Sequence, residues 1–151
     1  MVEVGSDDEI LEFAIAREIE ANRFYLSLAE RVADPEMRRI FEDLAGEELE
    51  HKEKLELEFI KTGKVLPSSE RVTIPEHEYI ISDSPSELDM DYKDLLLLGM
   101  EKEEASFRTY VGLVGQSQDE QSREVLLALA EEEVKHKLRF ETEYDMLLRK
   151  I

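Results

Sequence analysis

Two histidines each stand three positions after a glutamate, Glu48 with His51 and Glu133 with His136, and the two pairs share their surroundings. LAGEELEHKEKLELEF (44–59) lies over LAEEEVKHKLRFETEY (129–144) without a gap, matching Leu44 with Leu129, Ala45 with Ala130 and Glu47 with Glu132. The same offset of 85 carries Arg17 onto Lys102, Glu18 onto Glu103, Arg23 onto Arg108 and Tyr25 onto Tyr110. A fixed offset over two separate stretches marks an internal duplication. On a helix, Glu-x-x-His sets both side chains on one face about one turn apart, so each pair can grip one ion.

The numbering also fixes heights. Position 33 is the midpoint of Glu18 and Glu48, and position 118 that of Glu103 and Glu133. If each stretch folds as an antiparallel hairpin about these points, each hairpin presents two level glutamates, about 22 Å from its turn. Four carboxylates then converge on the middle of a bundle. Leu44, Leu55, Leu129 and Phe140 recur around them at helical spacing and mark the buried side. Four buried carboxylates without a cation cost too much, whereas two divalent ions neutralise them. Carboxylate and imidazole without thiolate favour iron or manganese, and zinc can occupy the same ligands.

Such a site needs four helices. Ser6 with Glu9 forms a capping box, and Ile10, Phe13, Ala14, Ala21, Phe24, Tyr25, Leu28 and Val32 follow at helical spacing, predicting a helix over 7–32. Asp34 before Pro35 caps a second over 35–61, ended by Gly63. Asp91 caps a third over 91–114, broken by Gly115, and Ser117 with Glu120 repeats the capping box for a fourth over 118–149. Residues 63–90 hold three of the four prolines and no helical period, so they read as a crossover joining the hairpins. The expectation is a single all-α domain, 1–151, of two antiparallel hairpins and one long crossover, the connectivity of ferritin-like bundles.

Composition narrows the function. There is no cysteine, which removes disulfides, zinc-thiolate sites and iron–sulfur clusters. A formal charge of -19 argues strongly against nucleic acid, whose phosphates are recognised by positive patches, and attracts cations. The start MVEVGSDDE carries neither a basic nor an apolar run, and no stretch approaches the roughly 18 apolar residues of a spanning helix. A soluble, cytoplasmic protein without a membrane partner is expected.

EIEANRFY (18–25), LAGEELEH (44–51), EEASFRTY (103–110) and LAEEEVKH (129–136) together resemble the rubrerythrin branch of the ferritin-like superfamily, over the four helices. The resemblance implies two iron ions, with Glu48 and Glu133 bridging, Glu18 and Glu103 terminal, and His51 and His136 completing one ion each. It also implies reaction with dioxygen or hydrogen peroxide at open coordination positions, a peroxidase or oxidase for oxidative stress. Rubrerythrins proper add a cysteine-ligated rubredoxin domain; the cysteine-free chain would instead need an external donor such as a separate rubredoxin. A homodimer is expected. The alternatives are a ferroxidase that handles or stores iron, and a metal that only staples the bundle.

Other residues read less sharply. Tyr25 and Tyr110, two turns after Glu18 and Glu103, share the inward face, and either donate hydrogen bonds to the carboxylates or pack in the core. Glu47 and Glu132 neighbour the ligands on another face and suit a solvated or hairpin-interface role. The resemblance calls for a further third-helix carboxylate one turn after Glu103, but that position is Ser106, with Glu101 and Glu104 nearby. His77 has no repeat partner and is expected to be exposed.

Overall fold

The computed structural model describes residues 6–61 and 91–149. The expected crossover 63–90, with His77, lies outside them. Four helices account for the described residues: α1 (Asp7–Glu30), α2 (Pro35–Lys61), α3 (Tyr92–Gln116) and α4 (Glu120–Arg149). Each start has a local cause. Ser6 accepts a hydrogen bond from the Glu9 amide, Asp34 from those of Glu36 and Met37, and Asp91 from that of Asp94.

The turn between α3 and α4 departs from expectation. Gly115 does not end α3, which runs on to Gln116, and Ser117 caps its C-terminus rather than the start of α4. Asp119 takes the N-cap role, accepting from the Ser122 amide at 2.9 Å. Ser117 is diverted to Asp7, whose carboxylate receives the Ser117 hydroxyl and the amides of Gln118 and Asp119, each at 2.9 Å. The first turn of α1 thus ties down the α3–α4 turn.

α1 packs along α2 and α3 along α4; the two hairpins then meet through α1 against α3 and α2 against α4. One apolar cluster joins the end of α1 and start of α2 (Leu28, Phe41) to the start of α3 and end of α4 (Leu96, Phe140). A second joins the opposite ends, through Leu11, Leu55, Leu113 and Leu126. First helices of the two hairpins therefore run antiparallel. Between the clusters lies a polar layer.

Candidate metal centre

All six residues singled out by the repeat fall in that layer: Glu18, Glu48, His51, Glu103, Glu133 and His136, none more than 4% exposed. Inward apolar spacing on each helix places them there, since each lies on the stripe that forms the two clusters. Nδ1 of His51 is 3.3 Å from Glu48, 3.4 Å from Glu133 and 3.6 Å from Glu18. Nδ1 of His136 is 3.3 Å from Glu103, 3.4 Å from Glu48 and 3.9 Å from Glu133. The imidazole rings stack, with centroids 5.5 Å apart.

The donor atoms include two overlapping groups of four, Glu18, Glu48, His51 and Glu133, and Glu48, Glu103, Glu133 and His136, each with its atoms within 4.8 Å of one another, and Glu48 also groups with both histidines. Glu48 and Glu133 belong to both. That sharing is the geometry two bridging carboxylates need, with Glu18 and Glu103 at the outer ends.

The tyrosines cross between hairpins. Tyr25 donates to Glu103 and Tyr110 to Glu18, so each hairpin holds the other's outer glutamate. Burial, then the facing carboxylates, push both phenols well above their usual value, so they remain protonated donors.

Charge crowding shows in the acids. Burial raises Glu48 and Glu133 well above the carboxylate range and lifts Glu103 to about 8. Burial opposes charge on His51, but the carboxylates of Glu133, Glu18 and Glu48 facing its Nδ1 outweigh it and raise the group. His136 is lowered, by burial first and also by repulsion from His51. One of Glu48's oxygens, one of Glu103's, both of Glu133's and Nδ1 of each histidine have no hydrogen-bond partner. Buried acceptors facing acceptors are the donor set a hard or borderline divalent cation satisfies, so these residues fit a dinuclear metal pair.

The neighbouring carboxylates stand apart. Ser106 is buried one turn after Glu103, Glu101 is exposed, and Glu104 pairs with Arg108 at 3.1 Å. Glu47, expected on a solvated or interface face, reaches across the hairpin interface to His136; Glu132 pairs with Lys135. Sequence reasoning missed a buried ion pair, Lys102 with Glu20, that links α3 to α1 beside the site with Lys102 5.5 Å over the Phe24 ring. Its signal was the basic repeat pair Arg17 and Lys102, both buried.

The family model described as Rubrerythrin matches residues 9–144. The chain belongs to the rubrerythrin family. Among solved structures, this rubrerythrin-family chain is similar to a hypothetical protein from Pyrococcus furiosus, at 30% identity and a TM-score of 0.71 over 95% of this chain and 91% of that one. It is also similar to a chain from Thermotoga maritima described as a ferritin-like diiron-carboxylate protein, at 22% identity, TM-score 0.68, and 96% and 98% coverage. A manganese catalase from Anabaena shares the fold at 18% identity, TM-score 0.71, and 97% and 76% coverage. The fold is the ferritin-like four-helix bundle. No curated protein matches the chain. No described helix is long and apolar enough to cross a membrane.

Proposed function

We propose that this rubrerythrin-family chain holds two iron ions between the six residues and reduces hydrogen peroxide or dioxygen with electrons from an external donor. The observation that carries the reading is the buried pair of ligand groups sharing Glu48 and Glu133. A bound di-ferrous pair supplies two electrons, so that one peroxide and two protons give two waters and a di-ferric site. The chain's own residues set the conditions: four carboxylates offset the charge of the cations, Tyr25 and Tyr110 fix the outer two, and the apolar clusters on either side exclude bulk water. A cysteine-free sequence makes no rubredoxin-type site of its own, which supports a separate donor such as a rubredoxin. The Thermotoga and Anabaena neighbours support testing manganese beside iron.

The net charge of -19 also favours ferrous entry, and so a ferroxidase that passes iron on. One experiment separates these readings. Protein loaded anaerobically with two ferrous ions is mixed with peroxide and then with a reductant. Oxidation at one peroxide per pair, repeated after reduction with the iron retained, supports the peroxidase. Iron released or deposited after oxidation supports the ferroxidase, and a ferrous protein that peroxide does not oxidise refutes both. A homodimer on light scattering is expected, where a storage role calls for a hollow shell.

A further inference from the structure

The six candidate ligands obey the repeat, but the carboxylates just outside them do not. Glu47 and Glu132 are counterparts at offset 85. Glu47 Oε2 lies 3.4 Å from Nε2 of His136, while Nδ1 of the same ring faces Glu48, Glu103 and Glu133. Glu132 instead turns along its own helix to Lys135 at 3.3 Å, and the ion pairs of His51 all run through Nδ1.

One position accounts for the difference. Three residues after Glu47 and Glu132 stand Glu50 on α2 and Lys135 on α4, themselves repeat counterparts of opposite charge. At that spacing Lys135 attracts Glu132 along the helix surface, whereas Glu50 repels Glu47 and leaves it to face α4. The Glu47 Oε2 and His136 Nε2 atoms are both buried, although Glu47 as a side chain is 43% exposed, and neither has a hydrogen-bond partner, so the contact between them is an ion pair at 3.4 Å. Asp43 with Arg139, at 3.1 Å, ties α2 to α4 along the same groove.

We propose that Glu47 is a positioning residue, holding His136 with its Nε2–H outward and its Nδ1 lone pair toward Glu48, Glu103 and Glu133, so that the two halves of the site bind divalent cations unequally. The half containing His136 is the tighter. An imidazole that donates its outer N–H to a carboxylate is fixed in tautomer and made more basic at the other nitrogen, and losing such a partner costs about 10- to 100-fold in metal affinity. The inference rests on the dinuclear reading above.

Anaerobic titration of the full chain with cobalt(II), followed by visible absorption and calorimetry, tests it. Wild type is expected to bind two ions in steps about tenfold or more apart. Glu47→Ala weakens the tighter step by about 10- to 100-fold while two ions still bind; Glu47→Gln, which keeps an acceptor, retains part of the difference. Lys135→Glu frees Glu132 to approach His51 and strengthens the weaker step. The cobalt form should also show a hyperfine-shifted, exchangeable imidazole proton that Glu47→Ala removes, a signature that mere surface packing does not produce. Both substituted residues are on the surface, and circular dichroism checks that the helices survive. Two indistinguishable steps in wild type, or unchanged constants in Glu47→Ala, overturn the inference and leave the dinuclear reading standing. Failure of wild type to bind two ions overturns that reading itself.

Discussion

Glu48 and Glu18 are both buried carboxylates at one level of the bundle, yet their places in the cluster differ. Glu48 belongs to both ligand groups and Glu18 to one. Glu18→Ala is therefore expected to retain one of two ions after gel filtration, and Glu48→Ala to lose both, as read by elemental analysis; equal losses would contradict bridging by Glu48. The charge-removing Glu48→Gln carries a second, opposite expectation. In metal-stripped protein it relieves repulsion among buried carboxylates and should raise stability, as read by chemical denaturation. That these six residues meet was legible because the duplication repeats their spacing in both hairpins. What the tyrosines bond was not legible. The contact runs from Tyr25 of one hairpin to Glu103 of the other, and its direction depends on the first helices being antiparallel, which the periodicity within each helix does not encode.

Among the helices, the repeat conceals a compensated exchange. Ala14 and Leu55 in the first hairpin correspond to Gly99 and Phe140 in the second, all of them buried. A Cβ on Gly99 would meet the Phe140 ring at 2.6 Å. The larger ring thus demands the missing methyl. Gly99→Ala gains about 1 kcal/mol of helix propensity, but overpacking of 1–3 kcal/mol outweighs it. A net loss of up to about 2 kcal/mol is expected by chemical denaturation. Adding Phe140→Leu restores the first hairpin's pairing and should recover part of that loss, so a double variant no better than the sum of its singles would contradict the account. Helix positions were readable from caps and apolar spacing, and α2 spans 35–61 as the sequence suggested. The α3–α4 turn was not, because Asp7, over a hundred residues away in the chain, captures the serine that local patterning assigned as a cap.

For the whole molecule, the acidic centre sets how stability responds to pH. Burial raises Glu48, Glu103 and Glu133, with Glu103 at about 8. A carboxyl raised above its unfolded value of about 4.3 takes up a proton on folding, so its contribution is complete below that pH and lost as pH climbs through the folded value. His51, also raised, adds in the same direction above its unfolded value. His136, which is lowered, opposes below its unfolded value. Metal-stripped protein is expected to melt lower at about pH 8 than at about pH 5, with the difference much reduced once divalent ions bind and displace the protons. Melting curves by circular dichroism check this, and a stripped protein more stable at the higher pH would contradict it. The same polar layer has a further consequence, for turnover. A chain whose middle is at ease only around cations opens more often when they are scarce, and proteases act on the opened population. Its lifetime then follows the supply of divalent cations, and we expect chelation to shorten survival in a protease digest by the factor through which metal had suppressed opening.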